Sequence, residues 1–272
     1  MAKANEVKTE EITKVELTPQ KNEGKPGLPM KVEDSPIMLV QADPEEMLDV
    51  LRLTYGDTKP GIQELGQIRV PTGGSKFWEM DGEDPTEDLV GIVIDRRPVR
   101  AWWPTADPTG KPPSCASNDS EKGYGVRWED DEEKPHDCFT CPYAQFKSAE
   151  KGEGQACKQM LAVFFLPLEY SLPKVLLLPP TSIKVANDRL SGITAKFNTS
   201  VKPPRARMFY DVLVAWRVVP DKNAAGQPYG RAVPNIVRDL APVEAERVRP
   251  YAKAFRAMIE KKVEKNGEEA SA

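Results

Sequence analysis

The stretch LVGIVI, residues 89–94, decides the fold class of this 272-residue chain. Its unbroken apolar run predicts a strand buried inside a sheet. The chain also contains 26 prolines, and this residue favours strands, turns and loops over long helices. The sequence therefore predicts a mainly β fold of the α+β class.

Short apolar segments on both sides of this strand extend the predicted sheet. Residues 99–103 are expected to resume the sheet after a break at Arg96-Arg97-Pro98, because proline removes a ladder donor. Two further strands are predicted at residues 160–167 and 175–178. Residues 209–219 form a long strand that turns back into residues 229–233, which predicts a hairpin.

Helical spacing is found mainly near the two ends of the chain. Asp43 is a plausible N-cap for a short helix at residues 44–53, and Ser182 could cap a helix at residues 183–190. Residues 243–263 predict a C-terminal helix that Pro250 kinks or restarts. The expected organisation is a disordered arm (1–34), a short helical segment (35–59), a β domain (60–240) with an insertion (104–158), a C-terminal helix (241–264) and a frayed tail (265–272).

Charge and hydropathy exclude several classes of protein. The net charge is −4, so a nucleic-acid interface has to rest on a local basic patch. No apolar run approaches the roughly 18 residues that a membrane span needs, and the N-terminus has no apolar signal core. We therefore expect a cytoplasmic protein without a membrane partner, in a compartment where disulfides are disfavoured.

Four cysteines form the strongest motif in the sequence. Cys115, Cys138, Cys141 and Cys157 all fall within 43 consecutive residues, and the chain has no other cysteine. The Cys-x-x-Cys pair places two thiolates on one turn, and two more thiolates complete a tetrahedron around one ion. The spacing predicts a structural Zn²⁺ site that orders a loop with little core of its own. His136, the only histidine, could replace one thiolate.

Other interpretations of the cysteines stay open at this point. Four thiolates also hold a [4Fe–4S] cluster, and nothing in the spacing excludes it. Free buried cysteines are a second alternative. A redox Cys-x-x-Cys is a third, although the βαβ pattern of such proteins is missing.

The sequence predicts a protein without catalysis. One histidine beside the cysteines leaves no independent Ser/His or Cys/His pair, and phosphate-loop and dinucleotide motifs are absent. The segment TGGSK, residues 72–76, is better explained as a hairpin turn than as a phosphate loop. A zinc ion held by four thiolates has no open position for activating water. A magnesium-dependent nuclease or an iron–sulfur nucleic-acid enzyme remains an alternative.

Two segments combine cations with aromatic residues, as single-stranded nucleic-acid sites do. The first covers residues 96–103, and the second, residues 196–217, holds five basic residues against one acidic residue. The aromatic residues could equally belong to the core, and we expect this for Trp216. Basic residues next to Pro203-Pro204 are expected to be exposed. The candidate contacts are Arg96, Arg97, Arg100, Trp102, Lys202, Arg205 and Arg207.

Several short motifs give the chain a family resemblance. It resembles a set of uncharacterised cysteine-rich proteins of phages and mobile elements over roughly residues 65–250. The motifs that carry this resemblance are PTGG (71–74), LVGIV (89–93), AWW (101–103), PPSCASND (112–119), CFTCP (138–142), QF (145–146), CK (157–158) and LPPTS (178–182).

The organisation of the chain is also similar to that of T-even phage single-stranded DNA-binding proteins. This similarity implies an oligonucleotide-binding (OB)-like β-barrel with the zinc loop inserted between strands. It implies binding of single-stranded DNA in phage replication or recombination, in the host cytoplasm. The alternative is a zinc-stabilised phage accessory protein that binds host transcription or replication machinery.

Overall fold

The computed structural model describes residues 37–260, apart from residues 57–61, 63, 72–74, 81–83, 88, 105–112, 126–134, 151, 200–202, 223–225 and 227. The predicted arm (1–34), the predicted tail (265–272) and the predicted turn at residues 72–74 lie outside the described residues, as does Lys202.

The described residues form a mainly β protein with a long C-terminal helix, as the sequence predicted. Two short 3₁₀ turns, at Pro142–Ala144 and Phe209–Asp211, are also present. The helices are α1 (Met38–Gln41), α2 (Pro44–Tyr55), α3 (Pro180–Thr194) and α4 (Pro242–Glu260). The strands are β1 (Gln67–Arg69), β2 (Glu79–Met80), β3 (Leu89–Trp102), β4 (Cys115–Ser117), β5 (Lys122–Gly123), β6 (His136–Asp137), β7 (Lys158–Pro167), β8 (Lys174–Leu178), β9 (Phe197–Asn198), β10 (Arg205–Ala206), β11 (Val212–Lys222) and β12 (Pro228–Asp239).

One large sheet organises the molecule. Its strands follow the order β12-β11-β3-β7-β8-β1-β2, and β4 adds to the far end of β3. The pairs are antiparallel except for β1 and β8, which run parallel. The sheet curls as an incomplete barrel. The predicted hairpin is confirmed as β11 and β12, paired from Val212 opposite Asp239 to Lys222 opposite Pro228.

The central strand β3 is longer than the sequence predicted. The expected break at residues 96–98 is wrong, because β3 continues through Pro98, which lies opposite Leu161 of β7. On the other side of β3, β11 pairs with residues 89–91 and β4 with residues 100–102. Pro98 thus lies where β3 has one strand neighbour among the described residues, and a proline is tolerated beside an open edge.

Two hydrophobic clusters pack on opposite faces of the sheet. Alternation along β3 sends Ile92 and Ile94 to one face and Val93 to the other. The first face is covered by α1, α2 and α4, whereas α3 covers the second. Trp216 is fully buried in the cluster under α3, which confirms the prediction that it belongs to the core. The sheet is therefore covered by helices on both faces.

The helix starts show which capping predictions hold. Asp43 caps α2 as predicted, because its Oδ1 accepts from the backbone N–H groups of Glu45 (2.8 Å) and Glu46 (3.0 Å). Ser182 does not cap a helix, since α3 begins earlier, at Pro180. Its buried hydroxyl accepts instead from the backbone N–H of Ala232 in β12 at 2.9 Å. None of the helices in the described part of the chain is long and apolar enough to cross a bilayer.

Candidate functional site

The four cysteines lie together at the end of the sheet, in the segment between β3 and β7. We call this segment, residues 103–157, the cysteine lobe. Its four thiols line one cavity of about 10 Å³. Cys115 opens β4, Cys138 and Cys141 flank the turn after β6, and Cys157 directly precedes β7. The other residues that line the cavity are Trp102, Gly123, His136, Asp137, Tyr143 and Ala144.

Two aspartates shape the turns that carry the cysteines. The Asp137 carboxylate accepts from the backbone N–H groups of Phe139 (2.8 Å) and Thr140 (3.3 Å), which closes the Cys-x-x-Cys turn. Asp119 does the same after β4, where it accepts from the N–H groups of Glu121 and Lys122. These bonds lower the pKa of both carboxyl groups, although for Asp119 desolvation by burial is the larger, opposing influence.

Backbone hydrogen bonds hold the turns against one another. Strands β5 and β6 pair with Gly123 opposite His136. The N–H of Cys138 donates to the carbonyl of Glu121 at 2.9 Å, and the N–H of Cys157 donates to the carbonyl of Tyr143 at 2.8 Å. The cysteines are thus placed by local turn chemistry, with little help from an apolar core.

A glycine leaves room for the sulfur atoms. A Cβ at Gly123 would lie 2.9 Å from Sγ of Cys115 and 3.4 Å from Sγ of Cys138. The thiols of Cys115, in β4, and Cys138, in the turn after β6, therefore converge on this glycine. Any larger residue at this position would push into the cysteine cluster.

The cavity excludes most solvent from the thiols. Cys138 and Cys157 are buried, while Cys115 and Cys141 are half-buried. Burial raises the pKa of Cys157 to about 12 and also raises the pKa of Cys138. The Arg100 guanidinium opposes both increases. On one side the ring of Trp102 stacks on Tyr143, with ring centres 4.5 Å apart.

The donor set fits a thiophilic metal in composition, although its atoms are not in coordination geometry. Among the described residues, no group of three or more His, Cys, Asp or Glu side chains is arranged to hold a metal ion as it stands. Four thiols and one imidazole nevertheless line the same small cavity. Soft sulfur ligands in that number select Zn²⁺ or an iron–sulfur cluster. Buried Nε and Nη1 atoms of Arg100 also lack a hydrogen-bond partner among the described residues.

The predicted nucleic-acid contacts at Arg96 and Arg97 are separated by the sheet. As neighbours in β3, they leave opposite faces. Arg96 reaches α3, where its guanidinium donates to Oδ1 of Asn187 and, at 3.0 Å, to Oγ of Ser191. Arg97 donates to the carbonyl of Ile259 in α4 at 3.2 Å. Each arginine thus ties a different helix to the sheet.

The remaining predicted contacts occupy two places. Arg100 and Trp102 belong to the surroundings of the cysteine cavity. Arg205 lies in β10, and Arg207 follows it. The expectation that Arg207 is exposed is wrong: it is 9% exposed and forms an ion pair with Asp239 of β12.

The structure adds an aromatic residue that sequence reasoning overlooked. Phe197 in β9 is 70% exposed and lies opposite exposed Ala206 in β10. We call the two strands and their connection, residues 196–207, the basic ribbon, because this segment contains four basic residues and no acidic residue. Lys196, next to Phe197, is also exposed. The signal in the sequence was a lone aromatic between cations.

The cysteine lobe carries two more exposed aromatic residues. Phe139 is 88% exposed and Phe146 is 78% exposed. The side chain of Gln145, the residue before Phe146, contacts the turn that carries Phe139. Its Nε2 donates to the carbonyls of Phe139 (2.9 Å) and Cys141 (3.2 Å). The lobe is acidic overall, with 11 acidic residues against six basic ones in residues 103–157.

Comparisons with protein-family models, with curated proteins and with solved structures found no match to this chain.

Proposed function

We propose that this protein binds single-stranded DNA without catalysis and that a Zn²⁺ ion held by Cys115, Cys138, Cys141 and Cys157 stabilises its cysteine lobe. The exposed Phe197 ring on the basic ribbon is the observation that carries the DNA-binding proposal. Cations bind the phosphates while aromatic faces stack on bases, which gives binding that tolerates any sequence.

The ribbon suits this role better than the sheet itself. Helices pack on both faces of the sheet, and most side chains of its central strands are buried. Four of the candidate contacts expected from the sequence (Arg96, Arg97, Trp102 and Arg207) make contacts within the protein. Of the other three, Arg205 is half-buried in the basic ribbon, which also carries the exposed side chains of Lys196 and Phe197.

The small size of the cavity supports zinc rather than a [4Fe–4S] cluster. The cavity of about 10 Å³ has room for about one small ion, whereas a cluster adds eight atoms. Binding would bring the four thiolates into a tetrahedron around the ion. A fully coordinated ion would be structural, supplying folding energy to the lobe. His136 lines the same cavity and is the alternative fourth ligand.

The proposal includes the phage context that the sequence resemblance implies. An OB-like barrel is supported by the curl of the sheet and by the insertion of the cysteine lobe between two of its strands. The process would be phage DNA replication or recombination, in the cytoplasm of the host.

The ribbon can be tested by titrating a labelled single-stranded oligonucleotide at two salt concentrations. Phe197→Ala should weaken binding by about 5- to 150-fold, since stacking on one aromatic is worth roughly 1–3 kcal/mol. Lys196→Ala should lower the slope of log K against log salt by about 0.7, the loss expected for one phosphate contact on a single strand.

Matched controls lie on the helices across the sheet. Leu53→Ala removes an apolar side chain that is 86% exposed on α2, and Lys253→Ala removes an exposed lysine from α4. Both should bind the oligonucleotide as the wild type does. Equal affinity of Phe197→Ala and Leu53→Ala would refute DNA binding by the ribbon.

A second function is favoured by Phe139 and Phe146 on the acidic lobe. Exposed aromatic residues on a segment of acidic composition suit a protein partner better than a polyanion. This is the interaction expected of a phage accessory protein that binds host replication or transcription machinery. A Phe139→Ala/Phe146→Ala double variant that loses a captured host protein while keeping oligonucleotide affinity would support it.

A further inference from the structure

Arg100 is a predicted nucleic-acid contact that lies beside the cysteine cavity instead of on the basic ribbon. It lies in β3 with Ser117 of β4 on one side and Gln159 of β7 on the other. Cys115 and Cys157 are each two residues from these partners. The guanidinium is close enough to Cys138 and Cys157 to influence both thiols electrostatically.

The hydrogen bonding of Arg100 is incomplete within the described structure. Its Nε and Nη1 atoms are buried, and no acceptor contacts them among the described residues. A guanidinium carries five N–H donors and keeps its charge in proteins. Arg100 as a whole is half-buried, but burying these charged N–H donors without acceptors is unfavourable unless an anionic group lies beside them. The nearby groups that can become anionic on metal binding are the thiols.

Metal binding would supply that anion. Four thiols that take up one divalent ion release four protons, and the resulting site has a net charge of −2. Such a charge is itself unfavourable in a buried site. The positive charge and unpaired donors of Arg100 would therefore complement the negative charge of a metal-bound cysteine cluster.

We propose that Arg100 is a positioning residue of the cysteine site, whose guanidinium donates hydrogen bonds to the metal-bound thiolates and offsets part of their charge. The inference rests on the metal-binding part of the proposed function. Ser117 is a neighbour in the same shell: it is 2% exposed, and its hydroxyl donates to Oδ1 of Asp119 at 2.9 Å. Partners of this kind orient ligands and tune metal affinity.

The test compares Zn²⁺ affinity by chelator competition in the full-length protein. Arg100→Met should weaken Zn²⁺ binding by about 10- to 100-fold, the usual loss when a partner of metal ligands is removed. Arg100→Lys keeps the charge without the planar donors, so its Zn²⁺ affinity should lie between those of the wild type and Arg100→Met. In the Co²⁺-substituted protein, loss of the N–H···S bonds should move the thiolate-to-cobalt charge-transfer band to longer wavelength.

Arg189→Met is the matched control, because Arg189 is exposed on α3. It should leave both the affinity and the band unchanged. Zn²⁺ affinity of Arg100→Met within about twofold of wild type, or an unmoved band in Arg100→Met, overturns the assignment of Arg100. Wild-type protein that binds no Zn²⁺ refutes the metal site itself. Wild-type protein that holds Zn²⁺ but ignores the oligonucleotide refutes DNA binding and leaves the assignment of Arg100 standing.

Discussion

At the scale of single residues, position 123 requires a glycine because of its contacts with the cysteines. A side chain at this position would contact two of the four sulfur atoms. We predict that Gly123→Ala lowers Zn²⁺ affinity at least about tenfold, because its methyl group occupies the space where Cys115 and Cys138 have to converge. The measurement is chelator competition on the purified protein.

Gly154→Ala is the control for that substitution. Gly154 also lies in the cysteine lobe, but the nearest atom to its added Cβ is 3.8 Å away, an ordinary contact distance. It should bind Zn²⁺ as the wild type does. If both alanine variants lose the same affinity, the effect reports glycine flexibility in the lobe and the steric argument fails.

Individual residues also show what sequence patterns can and cannot predict. The cysteine spacing indicated that four thiols share one place, and they do line one cavity. The two cationic segments indicated a nucleic-acid surface, yet alternation along β3 sends Arg96 and Arg97 to different helices. Arg207 is neutralised by Asp239, a residue 32 positions later that pairs only because β12 returns beside it. Contacts between distant strands are not encoded in local spacing.

At the scale of elements, β3 shows why the predicted strand break failed. The apolar run at residues 89–94 was enough to predict the strand, but whether Pro98 ends it depends on the neighbours of that edge. The open edge beside Pro98 lies between β11 and β4, two strands that come later in the chain and pair with the two ends of β3. Local propensity therefore placed the start of the element and could not place its end.

The start of α4 provides a prediction about pH. Glu244 accepts two hydrogen bonds from the Arg238 guanidinium, at 2.6 and 2.8 Å, and one from the backbone N–H of Ala241 at 2.7 Å. The Arg238 bonds, followed by the Ala241 bond, hold the pKa of Glu244 below its usual value of 4.5, against an opposing effect of burial. This is the glutamate half of a capping box, with Pro242 at the first helical position.

Because the folded-state pKa is depressed, the stabilisation by Glu244 is fully present above pH 4.5 and is lost as the pH falls through the lower folded-state value. We predict that Glu244→Gln lowers the free energy of unfolding by about 1 kcal/mol at neutral pH. The variant should also lose less stability than the wild type on acidification below pH 4.5. Urea unfolding across this pH range measures both effects, and parallel pH profiles for the two proteins would contradict the role of Glu244.

At the scale of the whole molecule, the cysteine lobe differs from the rest of the protein in its charge and in its lack of a hydrophobic core. The basic ribbon has four basic residues and no acidic residue, whereas the cysteine lobe is acidic. Neither hydrophobic cluster contains a described residue of the lobe, so the helices and the sheet do not depend on it for their cores. The lobe instead relies on turns, backbone bonds and, as we propose, its metal.

This division predicts that metal removal opens one part of the protein selectively. A strong chelator should make the cysteine lobe sensitive to trypsin at Lys122 and Lys147, which are exposed, while the sheet and its helices keep their cooperative unfolding. Fragment masses from limited proteolysis give the cleavage sites, and circular dichroism follows the rest of the chain.

Cys138→Ser should reproduce this sensitivity without a chelator, because it removes one of the proposed ligands. Added Zn²⁺ should restore protection to the chelated wild type and fail to restore it to the variant. A chelated protein that resists trypsin in the lobe, or one whose sheet unfolds together with the lobe, would contradict the separation of the two parts. The first result would mean that turns and backbone bonds alone hold the lobe; the second would mean that the metal stabilises the sheet through β3 and β7, the strands that frame the lobe.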